Sequence, residues 1–210
     1  MKTFDIIFLS LVAIYTFFIT IKIASLKKVN NEYQILQKHK PNSNDMIDLL
    51  NQKIPTVITG EVEEWFIFDE NDRIVEKKLN TTTLNENTKR LCYPLPIVKK
   101  YEVNTYSRDH HSLIQTEKNT RKFIVLLEGQ LSVYMLNPSQ KEEVKKNSNL
   151  LSNSNLKFME VKLYAEQVLH IPYGWHYAWK CLDKCKILEV NSETLVTLPI
   201  KFFQDKIIKN

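Results

Sequence analysis

Two histidines flank a tight corner in the C-terminal half of the chain, and histidine is the commonest metal ligand among side chains. They are His170 and His176, two of five histidines in 210 residues, and the corner reads Pro172-Tyr173-Gly174-Trp175. Proline fixes its own φ and glycine tolerates positive φ, so a strand that reaches this corner can turn back as another strand. The pattern predicts strands over Val168–Ile171 and Trp175–Cys181.

A second group with metal-binding chemistry, Asp109-His110-His111, lies upstream. Two imidazoles and one carboxylate on one face of a metal are the ligands of non-haem Fe(II) oxygenases. A site of that kind would combine Asp109, one of the adjacent histidines, and His176. Strand alternation argues against it, because a strand that directs Tyr177 inward directs His176 outward. The simpler interpretation is that His110 and His111 are solvated in a polar loop.

The remaining histidine and cysteine side chains are better explained by structural roles than by catalysis. His170 alternates with Leu169 and Ile171, which predicts a partly buried and hydrogen-bonded side chain. Cys181 and Cys185 span a predicted hairpin turn, and two cysteines alone are a weak metal signal. The odd count of three cysteines does not suit a disulfide framework and favours a reducing compartment.

Short apolar runs separated by turn signals predict a β-rich domain from residue 52 onward. The predicted strands are Thr56–Thr59, Trp65–Phe68, Arg73–Lys77, Lys122–Leu127, Gln130–Leu136, Phe158–Leu163, Val168–Ile171, Trp175–Cys181 and Lys186–Asn191. The polar stretch Ser139–Asn155 predicts a solvent loop. Pro199–Lys209 has apolar residues at helical spacing and predicts a short C-terminal helix packed on the sheet.

The N-terminal segment Phe4–Ala24 is apolar on all faces apart from one charged residue near each end. At a rise of 1.5 Å per residue, about 20 residues cross the roughly 30 Å hydrocarbon layer of a bilayer. A cleaved signal peptide fits less well, because the apolar run is too long and Lys22 would occupy position −3 of the cut. The segment predicts a single-pass transmembrane helix, with residues 4–24 in the lipid bilayer. Lys27 and Lys28 after it favour a cytosolic bulk of the chain.

Residues 25–51 are polar and predict a juxtamembrane stalk and linker. Val29–Gln37 has a helical pattern, and Lys40–Asn44 clusters Pro, Asn and Ser as a linker does. Asp45–Leu50 predicts a short helix, with Asn44 or Asp45 as its N-cap. The predicted organisation is therefore a transmembrane anchor (1–24), a stalk and linker (25–51), a β-domain (52–198) and a helical tail (199–210).

Three pieces of sequence, in order, resemble the cupin-like, JmjC-related proteins of the double-stranded β-helix fold. The first, Ile54–Gly60, is a strand that ends in glycine and precedes a tryptophan; the second, Phe123–Leu136, is a hairpin with a turn glycine. The third is the corner before Trp175. All three glycines of the chain lie on these pieces. The resemblance covers roughly residues 51–196 and implies one all-β jelly-roll domain.

In catalytic members, the resemblance implies an iron centre held by a His-x-Asp/Glu pair and a distal histidine, with 2-oxoglutarate as cosubstrate. The two residues of the pair share one face of a strand. This chain departs from that ligand set, because Tyr177 occupies the distal position and the proximal stretch Gln115–Lys118 reads Gln-Thr-Glu-Lys. We therefore predict a membrane-anchored cupin-like domain that has lost its iron triad and needs no cofactor. Such a domain acts as a binding or interaction module for a protein or small molecule.

Two alternatives stay open from the sequence. One is an Fe(II)/2-oxoglutarate-dependent dioxygenase, a hydroxylase with displaced ligands drawn from Asp109, His110, His111 and His176. The other is a structural membrane protein of a large DNA virus or of a similarly biased genome, which the lysine- and asparagine-rich composition suggests. The net charge of +5 has its densest clusters near the apolar segment, which favours anionic lipid over nucleic acid as a partner.

Overall fold

The computed structural model describes residues 3–28, 30, 32–62, 88, 89, 91, 98–146 and 156–207. The helices are α1 (Thr3–Lys27), α2 (Ser43–Gln52), α3 (Lys141–Lys146) and α4 (Thr197–Ile207). The strands are β1 (Leu36–His39), β2 (Thr56–Thr59), β3 (Val98–Tyr106), β4 (Gln115–Thr116), β5 (Arg121–Glu128), β6 (Gln130–Leu136), β7 (Phe158–Tyr164), β8 (Val168–Ile171), β9 (His176–Cys181) and β10 (Cys185–Glu193). The predicted strands Trp65–Phe68 and Arg73–Lys77 lie outside the described residues.

The strands form two sheets with a common core between them. The larger sheet has the order β1-β2-β8-β5-β10-β3, and the smaller has the order β4-β9-β6-β7. The larger sheet is antiparallel except where β1 runs parallel to β2, and the smaller sheet is antiparallel throughout. Strands that are distant in the chain are neighbours in both sheets, which is typical of a jelly-roll. The predicted sheet-rich domain is confirmed, but the helices make the chain mixed rather than all-β.

The core between the sheets, called the inner core below, takes alternate side chains from both. The larger sheet contributes Val57, Ile124, Leu126, Leu169, Ile171 and Ile187, and the smaller contributes Leu131, Val133, Met135, Val161, Leu163, Tyr177 and Trp179. Each fully buried large apolar side chain contributes about 1.5–3 kcal/mol of transfer free energy. Period-two alternation therefore fixes which side chains enter the barrel.

A second core, called the outer core below, lies behind the larger sheet. Met46 and Leu49 of α2 pack there against Phe123, Val125 and other side chains of the opposite strand face. The burial of the apolar face of α2 offsets the conformational entropy that is lost when the helix forms.

The start of α2 differs from the predicted N-cap. The Asn42 side chain accepts hydrogen bonds from the backbone N–H groups of Asn44 (2.8 Å) and Asp45 (3.0 Å). The Asp45 carboxylate accepts in return from the Asn42 backbone N–H at 3.0 Å. This reciprocal capping box makes Asn42 the N-cap and Asp45 the third helical residue.

The segment predicted as a stalk and linker belongs to the folded domain. The predicted helix over Val29–Gln37 is wrong. Residues 30 and 32–35 are not helical, and Leu36–His39 forms β1, which pairs with β2 from Thr56 to Thr59. Ladder hydrogen bonds along an available sheet edge outweigh the weak helical preference of this short polar run. The predicted boundary at residue 52 therefore falls inside the domain.

Polar strands and a polar helix account for the other differences. β3 was not predicted because its sequence is charged and its side chains are largely exposed at the edge of the larger sheet. β4 is only two residues long. The predicted solvent loop Ser139–Asn155 begins with a 3₁₀ turn over Pro138–Gln140 and continues as α3; residues 147–155 lie outside the described residues.

Helix α1 carries a stretch, Phe4–Leu26, that is long and apolar enough to cross a membrane by length and composition. Most of its large apolar side chains are exposed. Its second half contacts the domain, since Tyr15 Oη donates to the Leu195 carbonyl at 3.0 Å. Lys53 Nζ donates to the carbonyls of Ser25 and Lys28, at the end of α1. The domain therefore contacts α1 directly.

Candidate functional site

Polar side chains line one end of the barrel interior. On β5, Ile124 and Leu126 belong to the inner core, so Lys122 faces the same way two residues earlier. Glu189 of β10 is paired in register with Ile124 and also faces inward. Lys122 Nζ donates to Glu189 Oε2, and the two side chains are 5% and 17% exposed. A largely buried ion pair therefore lies at this end of the barrel.

The short ladder between β4 and β9 places two further pairs beside it. Register pairs Gln115 with Tyr177 and Thr116 with His176. Tyr177 Oη donates to Gln115 Oε1 at 3.0 Å, and Thr116 Oγ1 lies 2.8 Å from His176 Nδ1. Tyr177 belongs to the inner core, so His176 points to the opposite face, as strand alternation predicts.

Glu117 completes this group and is held against the corner of the chain. Its backbone N–H donates to the Trp175 carbonyl at 2.8 Å, and its carbonyl accepts from the Gly174 N–H at 2.9 Å. Its side chain is 3% exposed and accepts from Asn119 through both the backbone N–H (2.5 Å) and Nδ2 (2.7 Å). Burial raises the pKa of Glu117, while the Lys122 charge and the Asn119 donors oppose the rise.

Electrostatics keep the Tyr177 phenol protonated. Burial raises its pKa well above the ordinary value, and the carboxylates of Glu117 and Glu189 raise it further. At neutral pH the phenol is therefore a hydrogen-bond donor, and the Gln115 amide oxygen accepts from it. The group can bind and orient hydrogen-bonding atoms, but it contains no activated nucleophile.

The side chains at this end of the barrel do not fit an Fe(II) facial triad. That site needs two neutral imidazoles and one carboxylate. Gln115, Glu117 and Tyr177 supply an amide, a carboxyl group and a protonated phenol. From the sequence, Gln115-Thr116-Glu117 is only a departure from the family pattern. The i, i+2 spacing of Gln115 and Glu117 is the feature that could have placed both side chains on one face of a strand.

Asp109, His110 and His111 lie elsewhere, on an exposed segment beside β9. His110 stacks on Tyr106 with ring centroids 4.8 Å apart. The exposed carboxylate of Asp109 pairs with Lys180 at 2.8 Å, and that hydrogen bond lowers its pKa.

The displaced ligand set is not brought together. His111 forms an isolated backbone β-bridge with Lys180 of β9. His176 lies four residues from Lys180 along the same strand, which separates the two backbone positions by roughly 13 Å at the usual strand rise. Within the described part of the chain, no three His, Cys, Asp or Glu side chains form a cluster that could hold a metal.

His170 differs from its predicted state. Its side chain is 2% exposed and lies on the outer face of the larger sheet, with its ring 5.2 Å from that of Phe123. Neither ring nitrogen has a hydrogen-bond partner among the described residues. Burial, helped by the Arg121 charge, lowers its pKa to about 3. The predicted hydrogen-bonded histidine is therefore a neutral, fully buried one without a partner there.

No family model matches the chain, and no curated protein matches it. Solved structures do align. A cupin superfamily protein from Desulfitobacterium hafniense aligns at 12% identity over 45% of this chain and 67% of its own, with a TM-score of 0.33. The Drosophila melanogaster CENP-C cupin domain aligns at 13% identity over 44% of this chain and 59% of its own, with a TM-score of 0.33. The coconut allergen cocosin aligns at 9% identity over 46% and 22%, with a TM-score of 0.34.

Proposed function

We propose that this chain is a membrane-anchored cupin-like protein that acts by binding a partner rather than by iron-dependent oxidation. The observation that carries the proposal is the 3.0 Å hydrogen bond from Tyr177 Oη to Gln115 Oε1. The family resemblance expects histidine ligands at Tyr177 and at the stretch that contains Gln115. In this chain a phenol and an amide occupy these positions and bond to each other.

Two properties of this pair support a non-catalytic role. A metal would have to break the hydrogen bond, and the raised pKa of Tyr177 makes its phenolate costly at neutral pH. Of the residues at the expected ligand positions, Glu117 would remain as the carboxylate donor, and its side chain already accepts two hydrogen bonds from Asn119. A protein or small-molecule partner with hydrogen-bonding groups suits this chemistry better than a metal ion does.

Helix α1 supports the anchoring part of the proposal. Most of its large apolar side chains between Phe4 and Ile21 are exposed, and an exposed apolar surface of this size calls for an apolar surrounding. The lysines at 27 and 28 favour a cytosolic position for the β-domain.

Metal titration of the full chain in phosphatidylcholine nanodiscs tests the non-catalytic role. We expect neither anaerobic Fe(II) binding nor Fe(II)-dependent turnover of 2-oxoglutarate. A double variant, Gln115→His with Tyr177→His, keeps Glu117 and supplies both missing imidazoles. We expect it to gain Co(II) binding, visible as a new d–d absorption band.

The matched control is His110→Ala with His111→Ala, which should change nothing. Iron-dependent 2-oxoglutarate turnover by the unaltered chain, abolished by that control pair, would contradict the proposal and support the displaced-ligand dioxygenase. Anchoring is tested separately by alkaline extraction of membranes that contain the full chain. Release of the protein into the supernatant would contradict the anchor and leave the iron result intact.

A further inference from the structure

A cavity of about 200 Å³ lies between the end of α1, the helix α2 and the outer face of the larger sheet. We call it the helix-end cavity. Lys22 lines it from α1, Lys53 from the residue after α2, Arg121 from the start of β5, and His170 from β8. Four separate elements therefore bring nitrogen-bearing side chains to one small space.

The charge around this space is one-sided. Lys22, Lys53 and Arg121 are cations, and none of the residues that line the helix-end cavity is Asp or Glu. Burial lowers the pKa of Lys53, and the charges of Lys22 and Lys28 lower it further. Cations held this close repel one another, so an anion among them would stabilise the arrangement.

The carboxylate of Glu193, which is outside the lining, accepts hydrogen bonds from Thr120. Glu193 interacts electrostatically with Lys22. Its Oε1 accepts from the Thr120 N–H at 3.0 Å, and its Oε2 accepts from Thr120 Oγ1 at 2.7 Å. Glu193 offsets part of the positive charge from outside the lining, and the lining itself stays cationic.

His170 supplies an independent observation. It is 2% exposed, it lines the helix-end cavity, and neither ring nitrogen has a partner within the described ranges. Buried polar groups in folded proteins are nearly always hydrogen-bonded, so an exception indicates a missing partner. A neutral imidazole donates from one nitrogen, and it becomes a double donor when an anion stabilises its protonated form.

We propose that the helix-end cavity binds a phosphate group. Three cations and a histidine donor around a small space are the chemistry that recognises phosphate oxygens. The phosphate would come from an acidic phospholipid headgroup or from a soluble phosphate. The lipid source rests on the proposed membrane anchor, because Lys22 lies near the end of the apolar stretch and would bring the cavity to headgroup level. The phosphate site itself needs only the contacts described above.

Binding is tested on the full chain in phosphatidylcholine nanodiscs by titration with inorganic phosphate and, in parallel, with a short-chain phosphatidic acid. The readouts are the thermal unfolding midpoint and the ³¹P line width of the added phosphate. We expect bound phosphate to raise the unfolding midpoint and to broaden the ³¹P line. We expect Lys22→Gln to weaken binding roughly tenfold, the usual loss for one charged hydrogen bond. Lys22→Arg should retain binding. His170→Leu should also weaken it without lowering the midpoint of the unliganded protein.

The matched control is Lys162→Gln, which removes an exposed lysine of β7 on the smaller sheet. It should leave binding unchanged. A response to both probes supports a site for the phosphate group itself. A response to inorganic phosphate alone identifies a soluble phosphate as the ligand, and a response to phosphatidic acid alone identifies a lipid headgroup. No response to either probe overturns the proposal, as does an equal loss in Lys162→Gln and Lys22→Gln. Protein that leaves the nanodisc yet still binds inorganic phosphate would refute the anchor and uphold the site.

Discussion

The polar end of the barrel interior and the helix-end cavity lie on opposite faces of the larger sheet. Adjacent residues of β5 contribute to the two regions: Lys122 faces the barrel interior, and Arg121 faces the helix-end cavity. In the barrel, Lys122 pairs with Glu189 and Tyr177 donates to Gln115. In the helix-end cavity, cations from three elements converge and His170 has no partner among the described residues. The inward-facing side chains of the first region bond to one another, and behind them only His176 Nε2 has no partner among the described residues of that group. The second region has the chemistry of a site that binds a ligand.

This difference has opposite consequences for stability. A satisfied buried network stabilises and rigidifies a fold, so removing one member leaves another without its partner. A buried group without a partner costs free energy in the unliganded protein, so its removal should stabilise the fold. Substitutions in the two regions are therefore expected to change the free energy of unfolding in opposite directions.

The largest effect is expected from breaking the ion pair in the barrel. Lys122→Met leaves the Glu189 carboxylate uncompensated and should lower the free energy of unfolding by about 3–5 kcal/mol. Urea unfolding of the detergent-solubilised chain measures this. Adding Glu189→Leu should restore most of the loss, because the double variant buries no unpaired charge. A single variant as stable as the unaltered protein would mean that the pair is solvated.

The next effect should have the opposite sign. His170→Leu removes a buried imidazole and should raise the free energy of unfolding by about 1–3 kcal/mol at pH 7 in phosphate-free buffer. Saturating phosphate should reduce or reverse this advantage, since it binds more tightly to, and so stabilises more, a protein that keeps the histidine. Destabilisation by His170→Leu in the absence of phosphate would show that the imidazole already has a partner.

The pH dependence of stability distinguishes the two regions further. The folded pKa of His170 is lowered to about 3, below the unfolded value of about 6.5, so between these values the unfolded chain binds the extra proton. Stability should therefore fall as the pH is lowered through this window and level off above it. Lowering the pH from 7 to 5.5 should cost about 1.3 kcal/mol in the unaltered protein relative to His170→Leu. Parallel pH profiles for both proteins would exclude a depressed pKa.

The smallest effect is expected at the phenol of the barrel. Tyr177→Phe removes the hydrogen bond to Gln115, which is an exposed residue, and should lower the free energy of unfolding by about 1 kcal/mol. Chemical denaturation at pH 7 measures it, and Tyr164→Phe on the exposed face of β7 is the control. A loss no larger than that of the control would show that the pair contributes nothing to stability.

Local signals predicted the elements that glycine and proline delimit. The bounds of β6 and β8 agree with the predicted ranges, Gln130–Leu136 and Val168–Ile171, because Gly129 and Pro172 mark their ends. β1 was missed because its strand character depends on the edge of β2, which is distant in the chain. No local pattern contains that partner.

The part of the candidate site that depends on strand alternation was predictable. Successive side chains of a strand point to opposite faces, and in the structure Tyr177 faces the inner core and His176 faces the other side. That His170 has no partner among the described residues depends on how α1, α2 and β5 approach the same space. The sequence pattern around His170 predicts that the side chain is buried. It does not predict which hydrogen-bond donors or acceptors of other elements lie near it.

The contacts of Lys53 with the end of α1 bear on how this protein would meet its partner. They join the domain to the end of the proposed anchor, without a free tether. Such a protein would diffuse in two dimensions and present the same side of the barrel at each encounter. Part of the rotational freedom that association normally removes would already be lost before a partner arrives.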